Sequence, residues 1–247
     1  MLKQLTKTEL AIETGRTLFP NKVKSVADGM GKSERAIKQS TNVKLGKFVF
    51  KGRLTGAKIY TLTLEERKTC PINCTHWADC FGNNVPFGIR YTYDKALMVQ
   101  IENDLSFYNS KGKPFLVRLH VLGDFPDIEY VTFWQEMLNK YNNLNVYGYT
   151  AHQLGTVLGN TLNEMRCDRF MVRISGDINT EYNTALSYDD IRTHKQLKTK
   201  QAFLCPTQIA NKRDTTLAKK NEQTLTDSCG TCGLCWTSKK NVVFLTH

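Results

Sequence analysis

Eight cysteines carry most of the chemistry open to this chain, and seven of them fall into two groups. Cys70, Cys74 and Cys80 are spaced C-x3-C-x5-C in Thr69-Cys70-Pro71-Ile72-Asn73-Cys74-Thr75-His76-Trp77-Ala78-Asp79-Cys80. Cys229, Cys232 and Cys235 are spaced C-x2-C-x2-C around Gly230 and Gly233, with Cys205-Pro206 upstream; Cys167 stands apart. A two-residue gap lets a short loop wrap one face of a cluster, and glycine relieves the backbone strain. Cys205, Cys229, Cys232 and Cys235 therefore suit a [4Fe-4S] cubane, and they equally satisfy a structural tetrahedral zinc. The first group has three thiolates and no adjacent fourth. On a cubane this leaves one iron open to a ligand that is not protein, which makes it the candidate reactive centre. His76 or Cys167 as a fourth ligand would instead close it as a zinc site.

The surrounding sequence reads as strand, helix, strand. Phe115–Val121 is an apolar run of strand length broken by Gly123-Asp124, and Asp127 can cap a helix over 128–141. Val131, Trp134, Leu138 and Tyr141 share one face of that helix. Residues 145–150 read as the next strand, and Phe170-Met171-Val172-Arg173-Ile174-Ser175-Gly176-Asp177 repeats the first strand's pattern of Val-Arg ending in Gly-Asp. The two aspartates lie 53 positions apart, room for two strand-plus-helix steps. Alternation of this kind predicts a parallel sheet with its functional groups at the C-terminal edge. Asp124 and Asp177 are expected on that edge, or else in helix-capping turns, and His152, just past the strand, reaches the same edge. Asp124 and His152 are thus the candidate catalytic groups, while His120 faces a barrel interior or a packed helix. Upstream, Leu2, Leu5, Ile12 and Phe19 keep one helical face as far as Pro20; residues 22–40 read as loop and short helix, and 47–50 and 57–62 as short strands.

At 247 residues and 40% hydrophobic content the chain is one large domain or two small ones. Three segments are expected: a basic stretch at 1–63, an α/β barrel-like domain at 64–200 and a cysteine-rich extension at 201–247. No run approaches the ~18 apolar residues of a membrane span, and the N-terminus lacks a secretory apolar region. The expected location is the cytoplasm, where closely spaced cysteines serve metals more often than disulfides. The net charge of +11 divides as +9 over residues 1–70, −5 over 71–190 and +7 over 191–247. Basic ends suggest a polyanion partner, with Lys22, Lys24, Lys32, Arg35, Lys38, Lys44 and Lys47 placed to meet phosphates.

The Cys70–Cys80 motif, Val117-Arg118-Leu119-His120-Val121-Leu122-Gly123-Asp124-Phe125, Tyr130 and Trp134, Tyr147-Gly148-Tyr149-Thr150, and Cys229-x2-Cys232-x2-Cys235-Trp236 with Val243-Phe244 and His247 resemble the phage gene-product-88 domain family across roughly residues 60–247. That family looks like a distant relative of radical S-adenosylmethionine (SAM) enzymes. The resemblance implies a partial or complete (β/α) barrel, with Cys70, Cys74 and Cys80 holding a [4Fe-4S] cluster whose open iron binds SAM. Gly123 and Asp124 would stand where the second motif positions the methionine moiety. The usual spacing there is C-x3-C-x2-C, from which this chain departs. The C-terminal cysteines resemble auxiliary clusters. A reductant protein is the implied partner, a nucleotide or nucleic acid the expected substrate class, and the host cytoplasm the expected site. Two other readings stand beside this one: a non-catalytic nucleic-acid-binding protein with structural metal sites, and a host-interaction protein.

Overall fold

The computed structural model of the chain describes residues 5–29, 31, 34–176, 184–188, 191–212 and 226–245. Leu2, Lys32, Asp177 and His247 lie outside the described residues. In chain order the elements are α1 (Lys7–Thr14), β1 (Val23–Lys24), β2 (Lys38–Gln39), β3 (Lys58–Thr61), β4 (Arg90–Tyr91), α2 (Lys95–Asn109), β5 (Phe115–Leu119), α3 (Ile128–Lys140), β6 (Leu144–Thr150), α4 (Val157–Glu164), β7 (Phe170–Ser175), β8 (Thr184–Ser187), α5 (Ile191–Lys198), β9 (Ala202–Leu204), α6 (Pro206–Lys212), α7 (Cys229–Cys232), α8 (Leu234–Thr237) and β10 (Asn241–Phe244). No helix among the described residues is long and apolar enough to cross a membrane.

Eight strands form one sheet in the order β2-β3-β5-β6-β7-β8-β10-β9, parallel except for β2, and β1 pairs with β4 in a separate two-stranded ribbon. The chain is therefore mixed α/β with a large, mostly parallel sheet. From β3 to β8 each strand of the sheet lies beside its predecessor, and α2, α3 and α4 pack on the same face. Of the partial or complete barrel expected, the complete form is not made by the described strands: β2 turns antiparallel at one edge, and β10 inserts between β8 and β9 at the other, where a sequential barrel would continue. Where loop and short helix were expected over 22–40, the described residues include the short strands β1 and β2. The strand expected at 47–50 shrinks to a bridge between Phe48 and Lys58, because the Phe50 N–H turns away to the Gly230 carbonyl.

Strand alternation divides the core in two. Phe115, Val117 and Leu119 of β5, Leu144 and Val146 of β6, and Phe170 and Val172 of β7 meet the three helices. On α3 the expected stripe of Val131, Trp134, Leu138 and Tyr141 is buried, with Asp127 Oδ1 accepting the Tyr130 N–H at 2.9 Å as the cap. Each large apolar side chain so buried contributes about 1.5–3 kcal/mol over its exposed state. The opposite residues, Leu116, Tyr147, Ala185, Phe203 and Val242, meet Cys235 and Trp236 of the C-terminal turns. One face of the sheet thus belongs to helices and the other to cysteines.

Candidate metal centres

All eight cysteines are free thiols. The first group lies in the loop that follows β3 across the C-terminal edge of the sheet. Residues 62–64 still run beside the end of β5, with Val121 N–H bonded to Leu62 O at 2.9 Å and Leu64 N–H to Leu122 O at 3.0 Å. Gly123 then turns with φ +81°, and a Cβ there would stand 2.6 Å from Thr69 Oγ1 and 2.7 Å from Leu64 Cβ. Only glycine lets the two chains approach so closely with that backbone. The next residue, Asp124, donates its backbone N–H to Thr69 Oγ1 at 3.1 Å, immediately before Cys70.

Asp124 is buried and gathers three loops. Its carboxylate accepts the Phe125 N–H at 2.8 Å and the Ala151 N–H at 2.7 Å, the latter from the loop after β6. His152 donates Nε2–H to the Phe125 carbonyl at 2.8 Å, which fixes the orientation of its ring. Burial raises the Asp124 pKa, opposed by His152 and by the two N–H donors. Burial likewise raises the thiols of Cys70 and Cys74, and the Asp124 charge raises them further; Cys80 is raised by burial. Charge on one thiol of the trio opposes charge on its neighbours.

Two arginines hold this loop in shape. Arg67, at φ +62°, donates to Trp77 O at 2.9 Å, Arg16 O at 3.2 Å and Asn83 Oδ1 at 2.8 Å. Arg90, fully buried, pairs with Glu66 at 2.8 and 3.0 Å and donates to the carbonyls of Val85, Gly88 and Gly82. Arg16 pairs with Glu65 at 2.6 Å, and the Thr17 hydroxyl donates to Glu66 at 2.6 Å, so the segment after α1 is fastened to the same knot. None of these residues stands out in the sequence, because pairs spanning 24–49 positions leave no periodic signal. The one available clue is the adjacent Glu65-Glu66-Arg67 just ahead of Cys70.

Other expected participants lie elsewhere. His76 pairs with Asp79 at 3.3 Å on the exposed side of the loop. Cys167 is exposed in the turn before β7, at the opposite edge of the parallel sheet from Cys70. His120 packs beneath α3, its Nε2 3.1 Å from the Tyr130 hydroxyl, and burial pushes its pKa down to about 3. Of the basic residues, Lys24 and Lys38 share Glu34, and Arg35 pairs with buried Asp104 at 3.2 Å; Lys44 and Lys47 remain exposed.

The second group assembles against the other face of the sheet. Cys205 follows β9, and Cys229, Cys232 and Cys235 come from α7 and α8. Burial raises Cys205, Cys229 and Cys232, with Cys229 pushed up to about 12, and Cys235 bears on all three. The loop at 44–50 is laced to α7: Cys229 N–H to Lys44 O at 2.7 Å, Gly230 N–H to Leu45 O at 3.0 Å and Phe50 N–H to Gly230 O at 3.0 Å. Fully buried Arg173 of β7 donates to the carbonyls of Cys235 (3.1 Å), Leu234 (3.3 Å), Ser238 (2.6 Å) and Lys240 (2.8 Å). It caps the C-terminal end of α8 with a cation. The Val-Arg repeat therefore works across the sheet: its valines fill the helix side, and its arginines support the cysteine side.

Among the described residues no three His, Cys, Asp or Glu side chains are arranged to hold a single metal ion.

Compared with known proteins, the chain is matched by a family model described as Gene product 88 over residues 89–238. No curated protein matches it. No solved structure matches it.

Proposed function

We propose, from the premise that the chain belongs to the gene product 88 family of phage proteins, that it is an iron–sulfur protein and a radical-SAM-like enzyme acting on a nucleotide or nucleic acid. The observation that carries this reading is the union of a three-cysteine loop after β3 with the Gly123-Asp124 turn after the adjacent β5, through the Thr69–Asp124 hydrogen bond of 3.1 Å. Three soft donors in one loop fit a [4Fe-4S] cluster that keeps one iron for a non-protein ligand. Such a cluster, when bound, supplies the one-electron chemistry that cleaves a sulfonium.

The chain's own residues hold and orient. Cys70, Cys74 and Cys80 must each release a proton to bind metal, so loading weakens as pH falls. Asp124, fixed by two N–H donors, presents its remaining lone pairs beside Cys70 and suits an ammonium group. His152, held by its bond to the Phe125 carbonyl, stands on the same edge as the group for proton transfer with a bound substrate. Arg67 and Arg90 pair the loop carbonyls of Trp77 and Gly82.

The test is iron and acid-labile sulfide analysis on protein purified without oxygen, followed by SAM titration watched in the visible spectrum. About eight iron and eight sulfide per chain, as two cubanes require, with about half lost in Cys74→Ala and a spectral response to SAM, supports the proposal. Zinc without sulfide overturns it. A second reading, phosphate binding with structural metal sites, is favoured by the exposure of Lys44 and Lys47 on the loop laced to α7. It predicts affinity for nucleic acid that falls steeply with salt in the metal-loaded chain.

A further inference from the structure

Three donors face the C-terminal cysteines from the sheet, Tyr147 buried and Arg118 and Tyr149 half-buried. Arg118 of β5 lies opposite Tyr147 of β6 in register, and Tyr149 follows two residues on, so all three share the cysteine face. The Arg118 guanidinium sits 5.8 Å over the Tyr149 ring. The Tyr149 hydroxyl donates to Cys235 Sγ at 3.0 Å. The other two donors are not satisfied: neither the Tyr147 hydroxyl, on a residue 2% exposed, nor Arg118 Nε has a hydrogen-bond partner among the described residues. Leaving such a group unpaired is costly, most of all for a charged one. Two together, beside four thiols, make sense if their acceptor arrives after folding.

We infer that Arg118, Tyr147 and Tyr149 form a donor shell for an anionic iron–sulfur cluster held by Cys205, Cys229, Cys232 and Cys235, and that Arg118 sets its reduction potential. Four thiolates on a cubane leave a net negative group, and its bridging sulfides are acceptors that a zinc ion at the same place lacks. A one-electron reduction adds negative charge and moves no atom. The fixed cation of Arg118 stabilises the reduced form more than the oxidised one and so raises the potential. Zinc held by the same four thiolates would also be anionic and could use the donors, but it has no redox step and so no potential for Arg118 to set. The inference rests on the iron–sulfur reading for the C-terminal group alone and is independent of the reactive centre at Cys70.

The test uses the full-length Cys74→Ala chain, in which the first group is disabled, reconstituted without oxygen with ferrous iron and sulfide. Its cluster is titrated with dithionite against mediators and followed by visible absorbance. Arg118→Gln is expected to shift the oxidised-to-reduced ratio at the parent's midpoint at least tenfold toward oxidised, about 59 mV for one electron. Arg118→Lys is expected to restore most of that shift, and Tyr149→Phe to move the midpoint in the same direction by less. Variants that load iron yet titrate at the parent's potential overturn the proposal.

Tyr147→Phe keeps the test decisive if Arg118 variants fail to fold. In chelator-stripped protein it deletes an unpaired hydroxyl, so the melting temperature is expected to hold or rise; in loaded protein it is expected to speed iron loss to a chelator at least tenfold. Unchanged iron loss, or equal destabilisation of both forms, overturns the shell. Failure of Cys74→Ala to load iron and sulfide, while the parent chain carries about four of each, overturns this inference and leaves the reactive-centre reading standing. Loading at the C-terminal group with none at Cys70–Cys80 does the reverse.

Discussion

The backbone N–H of Asp124 meets the hydroxyl of Thr69 at 3.1 Å, and that hydroxyl in turn donates to Glu65 O at 2.9 Å. The turn that closes β5 and the residue before Cys70 are one unit. Thr69→Val keeps the shape and removes both bonds, leaving a buried N–H unpaired at a cost of about 1–3 kcal/mol. The expected result is a lower urea midpoint together with faster iron loss from the first group and unchanged retention at the second. Thr69→Ser should recover most of both. Equal iron loss from the two groups would separate this bond from the site.

Arg173 spends its whole guanidinium on the four carbonyls around α8. Arg173→Met fills similar volume and leaves those acceptors to water or to nothing. We expect a loss of about 3 kcal/mol in stability, with faster amide hydrogen exchange confined to residues 229–244. Iron and sulfide should fall by half, from the C-terminal group. Exchange that rises evenly through β5 and β6 would show that Arg173 supports the sheet rather than the cysteine turns.

Much of the frame is legible from residue pattern. The run ending at Gly123-Asp124 becomes β5 and its turn, Asp127 caps α3, and the parallel order of β5, β6 and β7 follows from strand and helix alternating at the expected spacing. Cys205 lies close enough to Cys229, Cys232 and Cys235 for their charges to bear on its thiol. What escapes is long-range charge. Glu66 with Arg90, and Arg16 with Glu65, join segments that no local periodicity links. The arginines of the two Val-Arg pairs are visible as a repeat, but their direction is a consequence of pleat. Alternation sends Val117 and Val172 to the helices and Arg118 and Arg173 to the other side.

Gly148 of β6 lies where a Cβ would collide with the Leu119 carbonyl of β5. The obstacle is backbone, which cannot rotate aside, so Gly148→Ala must spread two central strands. The expected loss is about 3 kcal/mol or more, read as a fall in urea midpoint with unchanged slope. Gly112, exposed and with open space around its Cβ position, is the control, although its φ of +64° still costs about 1–2 kcal/mol on substitution. Equal effects at the two positions would mean that the β5–β6 spacing is not tight.

His120 stays neutral in the folded chain because burial pushes its pKa down to about 3. Once unfolded, its imidazole titrates near ~6.5. Below that pH the unfolded state binds a proton that the folded state refuses, so stability declines as pH falls from ~6.5 toward about 3. This one group contributes up to ~1.4 kcal/mol per pH unit. His120→Phe retains a ring against Phe125 and Tyr130 and removes the titration. Urea unfolding between about pH 7 and about pH 4.5 should show a shallower acid decline for the variant. A parallel decline would assign the acid sensitivity to other groups.

Among the described strands, β9 pairs with β10 alone, and β10 lies between it and β8. During synthesis on the ribosome, Cys205 therefore leaves the exit tunnel with no seat in the sheet, and waits until residues 241–244 have been translated and have slid in beside it. The loop at 44–50 waits too, since its partners at Cys229 and Gly230 are made nearly as late. The loop of Cys70–Cys80 has its anchors at Arg90, Asp124 and Ala151 much earlier in translation. The three-thiol loop can therefore take its shape before residues 229–244 have been made, and the four-thiol group only after them.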